Sequence, residues 1–94
     1  MKVILTAPVE IALQTLGPHD RDLALSWIRR LEDWHTDAAL RARSYKLSPS
    51  EGTYVVHTNT DIRIFFALEP DTITVLDVAK RTGILTFGTL AGAE

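Results

Sequence analysis

Asp61-Ile62-Arg63-Ile64-Phe65-Phe66-Ala67-Leu68 is the stretch that decides the fold. Ile62, Ile64, Phe66 and Leu68 occupy alternate positions, with Arg63, Phe65 and Ala67 between them. Successive side chains of an extended chain point to opposite faces, so the pattern predicts a β-strand with its Ile62 face committed to a core. The opposite face is partly apolar and carries an arginine.

The neighbouring stretches read the same way. Tyr54–His57 and Thr72–Val78 are rich in Val, Ile and Thr, as strands are. Thr58-Asn59-Thr60-Asp61 and Glu69-Pro70-Asp71 are short enough to be hairpin connections, so the three strands form an antiparallel meander. Ser48-Pro49-Ser50-Glu51-Gly52 before them reads as a loop.

Upstream of Leu47 the period becomes helical. Leu23, Ala24, Trp27, Ile28, Leu31 and Trp34 share one stripe, with Asp20 and Asp22 near the positive end of the helix and Arg29 and Arg30 further along. Trp27 and Trp34 are two helical turns apart, which favours core packing. An earlier helix has Val9, Ala12, Leu13 and Leu16 on its apolar face. Thr6 offers a capping oxygen before Pro8, Gly17 stands where a left-handed cap belongs, and Pro18 opens the second helix. So short a connection predicts an antiparallel helical hairpin. Val3-Ile4-Leu5 reads as a first strand, and Asp37–Ala42 as a helical turn or loop. The expected fold is α+β: two N-terminal antiparallel helices packed on one face of a mainly antiparallel four-stranded sheet. One domain spans residues 1–87, and the small-residue tail over 88–94 is expected to fray.

Composition narrows the function classes. Of the 94 residues 46% are apolar and 23% charged, which describes a globular chain with one core. A domain of this size buries only about two-thirds of its unfolded surface, so a protein partner could stabilise it appreciably. There is no cysteine, hence no disulfide framework or thiolate metal site. Pro8, Glu10 and Gln14 interrupt the apolar start as a signal-peptide core, and no membrane span is expected, so the expected location is cytoplasmic. A net charge of -2 excludes a broad nonspecific nucleic-acid binder; contact with RNA or DNA must be local. His19, His35 and His57 are scattered without close ligand partners, so neither a metal nor another cofactor is expected.

Tyr54-Val55-Val56-His57, Asp61–Phe66 and Thr72–Arg81 together resemble the RelE/ParE toxin superfamily. They are similar to its tyrosine-led strand, its arginine-bearing middle strand and its last apolar strand ending in a basic pair. The resemblance extends from Val3 to Phe87, in pattern only over the helical half. It implies a toxin of a type II toxin-antitoxin module, neutralised by a cognate antitoxin. RelE-like members cut messenger RNA on the ribosome, ParE-like members poison DNA gyrase, and a catalytically silent relative would act by binding alone. Whether the chain is a homodimer stays open.

Metal-independent RNA cleavage must activate a 2'-hydroxyl, stabilise charge on the attacked phosphate and protonate the leaving oxygen. The resemblance implies that Arg63 and Arg81 grip the phosphate, a task that suits a planar, permanently charged fork. The alternative for either is a structural ion pair, with Asp77 or Glu10. His57 matches a basic position of the tyrosine-led strand, and imidazole, with an unperturbed pKa of about 6.5, can move a proton near neutrality. Its alternative is a solvated residue at a strand end. Arg41, Arg43 and Lys46, with Tyr45 among them, are candidate RNA contacts or a solvated loop. Lys80 completes the basic pair, and Phe87 could stack on a base. Two positions depart from the RNA-cleaving pattern: Val55 stands in place of a lysine, and Phe87 in place of a tyrosine that could transfer a proton. Phe65, beside Arg63, marks an apolar groove able to receive an antitoxin segment.

Overall fold

The computed structural model describes residues 1–48 and 51–80. In chain order these form β1 (Lys2–Leu5), α1 (Ala7–Thr15), α2 (Pro18–Arg30), a 3-10 turn (Leu31–Asp33), α3 (Ala38–Ala42), β2 (Ser44–Ser48), β3 (Glu51–His57), β4 (Ile62–Leu68) and β5 (Thr72–Lys80). Arg81, Phe87, the 88–94 tail and positions 49–50 of the expected loop lie outside the described residues. Among the described residues no helix is long and apolar enough to cross a membrane.

The meander is present as β3, β4 and β5, and the α+β class holds, but the sheet has five strands and is mixed. Its order is β1-β5-β4-β3-β2, with β1 parallel to β5 and the other pairs antiparallel. The expectation of four strands is corrected to five; the sheet is mainly antiparallel as expected, and the parallel pairing of β1 with β5 makes it mixed. β2 occupies Ser44-Tyr45-Lys46-Leu47-Ser48, within the stretch expected to be loop or helix. As an edge strand it buries little, and Tyr45 and Leu47 are over half exposed, so no burial pattern marks it in the sequence.

The helices turn their apolar stripes to one sheet face. Val9, Leu13, Ala24, Trp27, Ile28 and Leu31 form one cluster with Val56, Ile62, Ile64, Phe66, Ile73, Val75 and Val78. Trp34 meets Tyr54 and Phe66 edge-on, ring centroids 5.9 and 5.5 Å away, and Tyr54 stacks on Phe66 at 5.7 Å. A bulge in β5 completes the packing. Phe65 is opposite Asp77 and Phe66 opposite Val75, so Leu76 is the extra residue, and both Val75 and Val78 reach the helix side.

Two capping expectations are corrected. Gly17 is not left-handed: at φ -63° and ψ 161° it is the N-cap of α2, because the residue before a proline is pushed to extended backbone. Thr6 precedes α1 without a side-chain cap, and its hydroxyl donates instead to the Val75 carbonyl at 2.9 Å, tying the start of α1 to β5.

Candidate functional site

The site is built on the β3–β4 hairpin. Thr58 is buried at its end, where its Oγ1 donates to the Ile62 carbonyl at 2.9 Å and accepts from the Thr60 amide at 3.3 Å. The Thr60 hydroxyl accepts from the Ile62 amide at 3.3 Å. Threonine hydroxyls thus replace backbone partners that a four-residue turn leaves unmet. This network holds His57 and Arg63 at the two ends of the turn.

His57 and Arg63 are direct cross-strand partners. Arg63 alternates with buried Ile62 and Ile64, so both side chains lie on the outer face, away from the helices. Arg63 donates from Nη1 to the carbonyls of Thr60 at 2.9 Å and Ile62 at 3.0 Å, which anchors its guanidinium at the hairpin end. Asp77 is not its partner: it sits across from Phe65, and its Oδ1 accepts from the Val78 amide at 2.8 Å. Tyr45, across from Val55 on β2, brings its ring to 4.9 Å from that of His57. Tyr45, His57 and Arg63 therefore form a diagonal over three adjacent strands.

The remaining basic candidates are dispersed. Arg43 donates from Nε to the His57 carbonyl and from Nη2 to the Thr58 carbonyl, each at 2.7 Å, and its own carbonyl accepts from the His57 amide at 2.9 Å. Its guanidinium also lies 5.7 Å from the Trp27 ring, which carries Arg30 at 4.5 Å. Arg41 donates to the Trp34 carbonyl at 2.6 Å. Lys46 is across from Tyr54, on the helix side of β2, so strand alternation separates it from Tyr45. Lys80 is across from Ile62 and meets Asp20 of α2 at 2.9 Å. That hydrogen bond, with the Asp20 charge, holds the ammonium above its ordinary pKa.

Behind the site Arg30 grips both oxygens of Asp37 at 3.0 Å, and Asp37 caps α3 by accepting from the Leu40 amide at 2.9 Å. The Arg30 hydrogen bond first, and the Leu40 amide second, hold this carboxyl below its usual range. Among the described residues no group of His, Asp and Glu is placed to hold a metal ion. Sequence reasoning left Thr58 out of the site; its signal was the Thr-Asn-Thr-Asp turn composition. Tyr45 was visible only as part of a basic stretch, since nothing local aims it at His57.

The sequence matches no family model and no curated protein. Solved structures do match, and they show the fold. A chain of the RelBE2 toxin-antitoxin complex of Mycobacterium tuberculosis superposes with a TM-score of 0.69 at 19% identity, over 85% of this chain and 96% of that one. A chain of the RelB-RelE antitoxin-toxin complex of Methanococcus jannaschii gives 0.69 at 16% identity, over 89% and 96%. A chain of the chromosomal ParDE system of P. aeruginosa gives 0.52 at 15% identity, over 85% and 95%. The fold is thus that of the RelE/ParE toxins.

Proposed function

We propose that this chain is a RelE/ParE-family toxin of a type II toxin-antitoxin module, and that it cuts messenger RNA on the ribosome without a metal. The observation that carries the reading is the apposition of His57 and Arg63 on the outer sheet face. In such cleavage the ribose 2'-oxygen attacks the adjacent phosphorus and the 5'-oxygen departs; one proton leaves the nucleophile and one reaches the leaving group. His57 moves a proton. Arg63 stabilises the phosphate charge with its Nε and Nη2 edge, since both its bonds to the turn run through Nη1. Arg81 is proposed as a second guanidinium from the sequence resemblance.

Similarity to chains of toxin-antitoxin complexes supports an antitoxin as partner, and a ribosomal target implies a cytoplasmic protein. The apposed imidazole and guanidinium support RNA over gyrase as the target, since inhibiting gyrase needs a docking surface but no proton transfer or phosphate contact. The test adds purified protein to cell-free translation with messenger RNA, and separately to gyrase supercoiling. Ribosome-dependent cuts that fall a hundredfold or more in rate with Arg63→Ala are expected, the cost of one transition-state charge contact. Gyrase inhibition with intact messenger would establish the ParE-like alternative. Well-folded protein inactive in both would make the chain a silent relative, with Val55 and Phe87 as the departures responsible.

A further inference from the structure

The RNA-cleaving reading leaves Tyr45 without a role. The residue is 54% exposed on an edge strand, on the same face as Phe65 and Arg63, and its ring is tilted 59° against the His57 imidazole at 4.9 Å. Strands are about 4.8 Å apart and rise about 3.4 Å per residue, so Tyr45 on β2 and Arg63 on β4, two strands across and two residues along, are separated by roughly 12 Å at the backbone, a span that their long side chains shorten to the reach of one nucleotide and its neighbouring phosphate. Aromatic rings on an open sheet are a recurrent means of holding unpaired bases, because every base offers a π-face, whereas phosphates go to guanidinium groups.

We propose that Tyr45 is a base-stacking platform: an unpaired base of the RNA strand lies on its exposed ring while Arg63 holds a phosphate of the same strand beside His57. This subsite rests on the RNA-cleaving reading and adds to it the recognition of single-stranded RNA through a base. The ring, not the hydroxyl, makes the contact.

The test measures binding of the labelled full chain to ribosomes carrying a 2'-O-methylated messenger RNA, which cannot be cleaved, and to the same RNA free. Tyr45→Ala should weaken binding about five- to a hundredfold, the worth of one stacked base. Tyr45→Phe should bind within about twofold of the parent, since it keeps the ring. Salt dependence separates the roles: Arg63→Ala should flatten the slope of log affinity against log salt by about 0.7, one phosphate's share, while Tyr45→Ala leaves it unchanged. Circular dichroism checks that each variant is folded. Equal affinity of Tyr45→Ala and parent, with Arg63→Ala weakened, overturns the platform alone and leaves Tyr45 to a protein contact. Tyr45→Phe as weak as Tyr45→Ala overturns the ring as the contact. A parent chain that binds neither the programmed ribosome nor the free RNA overturns the RNA-cleaving reading together with the platform.

Discussion

The Arg43 guanidinium holds the backbone of His57: its Nε donates to the His57 carbonyl at 2.7 Å, while the His57 amide donates to the Arg43 carbonyl at 2.9 Å. The arginine that sequence assigned to RNA is engaged in positioning the histidine assigned to catalysis. Its second fork nitrogen donates to the Thr58 carbonyl, so the residue between α3 and β2 fastens the end of β3 where the hairpin turns.

Arg43→Ala should therefore loosen this corner before it affects anything else. Charge-assisted bonds to carbonyls on an exposed side chain suggest a loss of about 1–2 kcal/mol in stability. Amide hydrogen exchange should accelerate at His57 and Thr58 and stay unchanged in α2. Uniform acceleration through the domain would show that Arg43 supports the fold as a whole.

His57→Gln keeps a side chain of similar polarity and removes the titrating ring. If His57 moves a proton, single-turnover cleavage on the ribosome should slow by about 10²–10⁴-fold while protein–ribosome affinity is retained. Retained cleavage rates would assign proton transfer to another group.

The Arg30–Asp37 pair makes an acid-sensitive contribution to stability. Because the folded state holds the Asp37 carboxyl below its ordinary value, the contribution is present above about pH 4 and is lost as pH falls through the lower, folded-state pKa. Asp37→Asn should lower the urea midpoint at neutral pH, with a difference from the parent that shrinks as the pH is taken below 4. No difference from the parent at neutral pH would mean that capping of the Leu40 amide, which asparagine can also perform, matters and the charge does not.

Phe66 is fully buried between Trp34 and Tyr54, at the centre of the helix-facing sheet surface. Phe66→Ala should cost roughly 3–5 kcal/mol. Since a domain of this size has about 5–15 kcal/mol in total, the variant should unfold far below the parent midpoint or not fold alone. Phe65→Ala, one position away on the outer face, should cost much less, and comparing their denaturation curves checks which face is the core.

What local sequence determined is what local burial dictates. The alternation of Ile62, Ile64 and Phe66 around Arg63 gave away both a strand and its two faces, and the stripe from Leu23 to Leu31 gave away α2, because side-chain periodicity follows which face excludes water. Trp27 and Trp34 are core residues for that same reason. Tertiary structure alone decided the rest. β2 is a strand because β3 offers it hydrogen bonds, with no apolar face of its own to announce it. β1 lies parallel to β5, a pairing between residues about seventy positions apart. The bulge at Leu76 places Val75 and Val78 on one side against the simple alternation. The roles of the cations follow from such long-range placement: Arg43 meets two carbonyls of the hairpin end, Lys80 meets Asp20, and Arg63 stands opposite His57. A guanidinium or ammonium has the same charge wherever it stands in the chain; its partners are whatever the folded backbone brings within about 3 Å, and no local pattern encodes that.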